Sequence, residues 1–159
     1  METKTNILQP FTASELAEAI PQKPPFRFVD KILFVNDTSI EGTYTFKPTE
    51  FFYPGHFPGY PLTPGVILIE SMAQVGLVAF GLYLLSKEFV RADMKKLTTL
   101  FTDATVEFLS TVKPDETIHI HAKRKMWRWK KLRTNVEART PDNSLICVAE
   151  IAGLGMPLI

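Results

Sequence analysis

The stretch from about residue 64 to about residue 87 is the feature that most restricts how this chain can fold. Pro64 suits the first turn of a helix, because its missing N–H would have no intrahelical partner there. The resulting helix would be ~35 Å long at ~1.5 Å per residue, and it is apolar almost all round. Because a helix without a polar face is buried on most sides, the rest of the chain is expected to wrap around it.

The remaining sequence predicts one short helix and about six strands. Thr12 and Glu15 form a capping box, which predicts a helix over about residues 13–20. Strand-like runs separated by turn residues cover 26–35, 39–46, 97–109, 117–126, 131–140 and 145–154. Their connections are short, so neighbouring strands should run antiparallel. The expected fold class is α+β, a single domain over residues 1–159 with an antiparallel sheet around the central helix.

Charge and polarity restrict the location and partners of the chain. The net charge of +1 predicts no strong attraction to nucleic acid or to a membrane surface. Glu70, Ser71 and Gln74 interrupt the apolar helix, which argues against a membrane span. Residues 1–9 lack a basic stretch followed by an apolar one, so no secretory signal is predicted. A cytoplasmic location is therefore expected.

His56 lies in an irregular proline-rich stretch that precedes the long helix. Pro54 and Pro58 flank it and stiffen the loop. Imidazole has a free pKa near ~6.5 and can give or take a proton near neutral pH. The alternative is a loop histidine held only for local hydrogen bonding, and the spacing alone does not decide between the two.

Glu70 is the only ionised residue between Pro64 and Ser86. A buried carboxylate is costly, so it is partnered, neutralised or kept for function. Burial would raise its pKa, so that it could hold a proton at neutral pH and act as an acid. Gln74, one turn later on the same face, is placed to orient the carboxyl. The alternative is a helix rotated so that Glu70 reaches water, with Gln74 as an ordinary polar position.

Gly65 adds a backbone N–H at the positive end of the helix dipole, which suits a thioester carbonyl gaining negative charge. An imidazole, a carboxyl and this N–H together suit the removal of water from a 3-hydroxyacyl thioester. One side chain would take the proton from carbon 2, and the other would protonate the departing hydroxyl. This chemistry requires no cofactor and no metal.

These residues form one longer pattern. It comprises Gly55-His56-Phe57-Pro58-Gly59, Pro61, Pro64-Gly65-Val66, Glu70 and Ala73-Gln74, with further matches in 24–31 and 106–115. The pattern closely resembles the signature of the FabZ-type 3-hydroxyacyl-acyl-carrier-protein dehydratases, and the resemblance covers roughly residues 15–154.

The resemblance implies a hot-dog fold and a homodimer with shared active sites, whose assembly into a trimer of dimers stays open. In such sites His56 acts from one subunit, Glu70 from the other, and Gly65 supplies the oxyanion N–H. It also assigns substrate-binding roles to Phe57, Pro64, Val66 and Gln74. The implied substrate is a hydroxyacyl chain on the phosphopantetheine arm of acyl carrier protein, converted to the trans-2-enoyl thioester in fatty-acid, polyene or polyketide synthesis.

The chain departs from the family pattern in the basic residues that would grip an acidic carrier protein. Gln22-Lys23 stands where many members have His-Arg, and Leu109-Ser110-Thr111 lacks the expected basic residues. A replacement is available in residues 124–131, which carry five cations and two tryptophans. The candidate docking residues are Lys23, Arg124, Arg128, Lys130 and Lys131. The alternatives for 124–131 are a solvated hairpin tip and, less consistent with the small net charge, nucleic-acid binding.

Two other functions suit the same fold. A hot-dog thioesterase would hydrolyse the thioester with a carboxylate that activates water, and His56 would be incidental. A non-catalytic acyl-binding partner subunit would keep the fold alone, but the presence of both His56 and Glu70 speaks against it.

His119 and His121 alternate onto one strand face without further apparent ligands, so they are expected to be surface histidines.

Overall fold

A six-stranded antiparallel sheet wraps around one long helix. The computed structural model describes residues 8–157, and most of the segment 1–9, for which no secretory signal is predicted, lies outside them. The strands are β1 (Lys31–Val35), β2 (Ser39–Thr45), β3 (Leu97–Phe108), β4 (Thr117–Arg128), β5 (Lys131–Arg139) and β6 (Leu145–Pro157). They are hydrogen-bonded in the order β1-β2-β4-β5-β6-β3, and each pairing is antiparallel. The α+β hot-dog architecture predicted from the sequence is confirmed.

The central helix covers Gly65–Ser86 and forms the middle of the core. It is α-helical over Gly65–Ala73 and Phe80–Ser86, and π-helical over Gln74–Ala79 between them. By length and composition it could cross a membrane, but 72% of its most apolar 18-residue window is buried inside the fold. Its close approach to the sheet is clearest at Gly76, where an added Cβ would lie 3.2 Å from Ala122 Cβ. The apolar sequence of this helix is thus explained by its burial against the sheet.

The N-terminal helix (Ala13–Ala19) closes one side of the core. The Glu15 N–H donates to Thr12 Oγ1 at 3.3 Å, and the Thr12 N–H donates to Glu15 Oε2 at 2.8 Å, as a capping box requires. Leu16 and Ile20 are fully buried. Arg91 forms an ion pair with Glu15 at 2.9 Å, and this contact, together with the hydrogen bond from the Thr12 N–H, lowers the pKa of that carboxyl to about 2. The helix ends at Ala19, and the buried side chain of Ile20 anchors the chain two residues before Gln22.

β1 begins at Lys31, so the predicted strand over 26–35 is wrong in its first part. The physical reason is that side chains of the central helix bind the backbone of this segment. The Phe28 N–H donates to Gln74 Oε1 at 2.8 Å, and Ser71 Oγ donates to the Phe28 carbonyl at 2.7 Å. Gln74 Nε2 donates to the Phe26 carbonyl at 2.9 Å. The segment 26–28 is consequently attached to the helix.

The sheet differs from the sequence-based expectation in one pairing and one turn. β3 and β4 are consecutive in the chain but are not hydrogen-bonded, because β3 pairs with β6 and forms an edge of the sheet. β4 continues to Arg128, beyond the predicted end at residue 126. The turn to β5 is only Trp129-Lys130, with φ of 51° and 59°. Positive φ at both central residues is typical of a type I′ hairpin turn, which glycine or asparagine normally signals.

Candidate active site

The loop between β2 and the central helix holds His56 near the start of that helix. The Leu62 N–H donates to the His56 carbonyl at 2.9 Å, and the His56 N–H donates to the Phe52 carbonyl at 3.0 Å. The end of the loop is fixed to the rest of the fold, because the Thr63 N–H donates to the Val112 carbonyl at 2.8 Å. These backbone hydrogen bonds hold the loop, and with it the backbone that carries the half-buried imidazole of His56.

The hydrogen bond of the His56 ring defines its neutral tautomer. Nδ1 lies 2.9 Å from the carbonyl oxygen of Leu62. A carbonyl only accepts, so Nδ1 carries the hydrogen, and Nε2 of the neutral ring has a free lone pair. The ring also stacks on Phe57, with 4.2 Å between centroids. The bond to Leu62 fits the structural role that the sequence left open, and it also leaves Nε2 available as a base.

Glu70 is half-buried on the central helix and lines a small cleft of about 60 Å³. The other lining residues are Gln22, Ala73, Leu77, Val78, Thr99 and Phe101. Burial raises the pKa of Glu70, and the hydrogen bond from Gln74 acts in the opposite direction with a smaller effect. A carboxyl in this environment favours the protonated form more than an exposed carboxyl does.

Gln74 fixes the orientation of the Glu70 carboxyl. Its Nε2 donates to Glu70 Oε1 at 2.9 Å. Its own amide cannot turn freely, because the backbone of Phe26 and Phe28 occupies both of its ends and the residue is fully buried. With Oε1 engaged as an acceptor, the proton of the neutral acid belongs on Oε2. The spacing of one helical turn predicted this contact, and the structure contains it.

Replacing Gln74 by methionine tests this orientation. The variant leaves the buried Phe28 N–H without its partner, so we expect a loss of about 1–3 kcal/mol in the free energy of unfolding. Losing the donor to Glu70 should also raise the pKa of that carboxyl further. The alkaline limb of the pH profile of kcat/KM is the range in which kcat/KM falls because Glu70 loses its proton. This limb is then expected to move to higher pH in the variant.

Ser71→Ala is the matched control for this measurement. It removes the hydrogen bond to the Phe28 carbonyl but does not touch Glu70. It should cost stability without moving the alkaline limb. If both variants moved the limb equally, Gln74 would have only a structural role.

The start of the central helix presents unpaired N–H groups. No side chain caps this end, and within residues 8–157 no acceptor is hydrogen-bonded to the N–H of Gly65 or Val66. A Cβ at Gly65 would lie only 2.8 Å from the ring of Phe108 on β3, so a larger residue at position 65 would displace that ring. Pro64 is buried, whereas Val66 is 71% exposed. The geometry suits an oxyanion at the positive end of the helix dipole.

One chain thus carries two separate half-sites. Gly65 contacts Phe108 at one end of β3, and the loop that carries His56 is bonded through Thr63 to Val112, just beyond that end. Glu70 instead shares its cleft with Thr99 and Phe101, near the other end of β3. Among the described residues, no hydrogen bond joins His56 with Glu70. The structure brings Glu70 and Gln74 together, whereas among the described residues His56 does not line the Glu70 cleft.

The candidate docking cations fall into two places. Lys23 donates to the carbonyl of Ile20 at 3.2 Å, at the end of the N-terminal helix. The other four lie on β4, on β5 and in the turn between them: Arg124, Arg128, Lys130 and Lys131. The Arg128 guanidinium lies over the ring of Trp129, which is 81% exposed. This hairpin tip is at the far end of β4 from the His56 loop.

Sequence reasoning did not identify Gln22 as a site residue. It was noted only as a departure from the family pattern, yet it lines the same cleft as Glu70. That departure was the one signal in the sequence that pointed to this position.

Comparison with known proteins identifies relatives over most of the chain. The family model described as FabA-like domain matches residues 20–149. The 3-hydroxyacyl-[acyl-carrier-protein] dehydratase FabZ of Clostridium perfringens (strain SM101 / Type A) is 31% identical over 143 residues, which are 87% of this chain and 94% of that protein. The protein of the same name from Pelotomaculum thermopropionicum is 48% identical over 67 residues, 42% of this chain and 48% of that protein.

Solved structures share the fold at low sequence identity. The dehydratase heterocomplex ApeI:P from Xenorhabdus doucetiae has a TM-score of 0.69 at 14% identity, and the match covers 92% of both chains. Thioesterase HI1161 from Haemophilus influenzae has a TM-score of 0.66 at 16% identity, with 96% of this chain and 95% of that chain covered. These likenesses establish the fold and do not choose between the two activities.

Proposed function

This chain belongs to the FabA-like family, and from that membership we propose that it is a 3-hydroxyacyl-[acyl-carrier-protein] dehydratase. Its product would be the trans-2-enoyl thioester, in fatty-acid or related polyene or polyketide synthesis. Relatives that align over most of both chains carry this activity in their names. The observation that carries the proposal is a pair of side chains in complementary states: an imidazole with a free Nε2, and a carboxyl whose pKa burial raises. The predicted cytoplasmic location is part of the same proposal.

The proposed reaction uses each group once. His56 Nε2 takes the proton from carbon 2 of the acyl chain, and the Gly65 N–H stabilises the negative charge that develops on the thioester oxygen. Glu70 gives its proton to the 3-hydroxyl, the C3–O bond breaks, and water leaves as the double bond forms. A positioned acid or base contributes about 10²–10⁴-fold in rate, and an oxyanion donor about 10²–10³-fold. Proton return from the imidazolium to the carboxylate through water restores both groups.

We further propose that the two half-sites meet in a homodimer formed through β3. The outer edge of β3 has no strand partner among residues 8–157. Antiparallel pairing of two such edges along their whole length puts the Phe108 end of one protomer beside the Leu97 end of its partner. The His56 loop of one protomer would then face the Glu70 cleft of the other. Exposed apolar side chains near both ends support this pairing: Phe57, Val66, Leu100, Phe101 and Phe108.

The carrier protein is proposed to dock on the hairpin tip of β4 and β5. Gly155 donates its N–H to the Lys130 carbonyl at 2.8 Å, and Leu97 pairs with Pro157, so the tip lies at the Leu97 end of β3. In the proposed dimer that end is beside the partner's His56 loop. The cations of the tip would thus meet an acidic carrier close to the shared site, with Lys23 as a further contact.

A product assay separates this function from its alternatives. The purified protein is incubated with 3-hydroxyacyl chains on acyl carrier protein, and the carrier is analysed by mass spectrometry while free thiol is titrated. We expect the acyl chain to lose one water without release of thiol. Free thiol together with a hydroxy acid would identify a thioesterase, and no conversion at any chain length would identify a non-catalytic subunit.

A further inference from the structure

The peptide group that joins Leu62 to Thr63 is hydrogen-bonded at both of its polar ends. Its carbonyl, on Leu62, is the acceptor that lies 2.9 Å from His56 Nδ1. Its N–H, on Thr63, donates to the carbonyl of Val112 at 2.8 Å. Because a peptide group is planar, the bond to Val112 also restricts the direction of the carbonyl that the imidazole uses. The orientation of His56 therefore depends on how firmly this one peptide group is held.

Two buried hydroxyl groups hold the same peptide group through the side chain of Thr63. Tyr53 Oη lies 2.6 Å from Thr63 Oγ1, so one hydroxyl donates to the other. Both residues are buried. The carbonyl of Tyr53 also accepts from the His56 N–H at 3.3 Å. Tyr53 thus joins the two ends of the loop, and His56 lies between them.

The contribution of this hydroxyl pair is direction more than stability. Replacing both partners of a buried hydrogen bond by apolar groups of the same shape is often nearly neutral in stability. An apolar contact, however, does not fix a distance and an angle as a hydrogen bond does. Burial raises the pKa of the Tyr53 hydroxyl, so it keeps its proton at neutral pH and the bond persists there.

We propose that Tyr53 is a positioning residue for the base: through Thr63 it holds the Leu62 carbonyl on His56 Nδ1, an inference that rests on the proposed dehydration. Tyr53 does not touch the substrate in this role. When Nε2 takes the proton from carbon 2, the ring becomes cationic and its Nδ1–H becomes a stronger donor. A carbonyl already fixed in place stabilises that charge. The contact therefore strengthens in the transition state, where it raises the rate.

Tyr53→Phe and Thr63→Val each remove one hydroxyl and keep the shape of the side chain. Each leaves the other hydroxyl buried without this partner, so each should lower Tm. We expect kcat to fall by about 10-fold, the upper range for one hydrogen bond, with KM within about two-fold of the native value. Tyr83→Phe, which removes a hydroxyl bonded to Asp37 elsewhere in the fold, is the matched control and should keep native kcat.

The double variant Tyr53→Phe/Thr63→Val separates positioning from stability. Neither hydroxyl remains, so Tm should return toward the native value. The bond is still absent, so kcat should stay about 10-fold low and fall no further than in either single variant. A kcat that recovered together with Tm would overturn the proposal, because the pair would then have only a structural role.

NMR tests the same contact without an activity assay. The chain has three histidines, and ring ¹⁵N chemical shifts distinguish the Nδ1–H from the Nε2–H tautomer at a pH well above ~6.5, where free imidazole is neutral. Native His56 should be the Nδ1–H form, and the double variant should contain a share of the Nε2–H form, with His119 and His121 unchanged. An unchanged His56 tautomer in that variant would contradict the role of Tyr53. If the native protein released no water, the proposed function would fail, but these spectra would still decide whether Tyr53 orients His56.

Discussion

Replacing Glu70 by glutamine is expected to lower kcat/KM for dehydration by about 10²–10⁴-fold while the protein stays folded. The amide has nearly the same shape as the carboxyl, and its oxygen can still accept the hydrogen bond from Gln74. What the variant loses is the proton that the leaving hydroxyl needs. Glu18→Gln, which changes an exposed carboxyl on the N-terminal helix, is the matched control and should keep native activity.

The difference in stability between Glu70→Gln and the native protein should change with pH in a defined direction. Burial raises the pKa of Glu70 above 4.5 in the folded protein, so the folded state holds its proton more tightly than the unfolded state. The proton bound to Glu70 therefore stabilises the folded state at low pH. That stabilisation is lost as pH rises from the pKa of Glu70 in the unfolded chain through its pKa in the folded protein. Glu70→Gln has no such proton, so above that window its Tm should equal or exceed the native value.

Native kcat/KM should fall as pH rises past the raised pKa of Glu70, because the acid is then deprotonated. Stopped assays across pH, with Tm measured in the same buffers, check both effects. An acid role would be contradicted if Glu70→Gln kept more than about a tenth of native activity.

Mixed dimers of a His56→Asn chain and a Glu70→Gln chain are expected to recover about half of the native activity, although each parent is expected to be nearly inactive. Asparagine can still donate to the Leu62 carbonyl, so it removes the base while keeping the local hydrogen bond. If each site takes its histidine from one protomer and its glutamate from the other, one site of the mixed dimer carries both changes. The second site carries neither and is native.

Co-expression with two different affinity tags isolates these mixed dimers. The control pairs a native chain with a chain that carries both substitutions, so that each shared site has one change and the dimer is inactive. If each chain held a complete site of its own, the control would be half-active and the first pair inactive. The two outcomes exclude one another, whatever the absolute rate.

The central helix and the number of strands were predictable because both follow from hydrophobic pattern. The start of β1 was not, because the groups that bind the Phe28 backbone are Gln74 and Ser71, which are distant in the sequence. The pairing of β3 with β6 is likewise a property of the whole sheet. The turn at Trp129-Lys130 was predicted too long, since neither residue is a usual signal for positive φ.

The candidate site was predictable where it coincides with one continuous motif. His56, Gly65 and Glu70 stand within fifteen consecutive positions of the sequence, and helical spacing linked Glu70 to Gln74. Gln22 was not predictable in this way. Its surroundings come from the central helix and β3, which meet only in the folded protein.

In the proposed dimer, the open edge of β3 is covered only when two protomers meet, so folding and association of the chain would be linked. About half of the twelve residues of β3 direct their backbone donors and acceptors to that edge, and such a row is a template for strand addition by any compatible chain. A protomer that has folded but not yet paired is therefore the species most prone to aggregate. Since self-association also removes that species, the apparent stability of the protein should rise with its concentration.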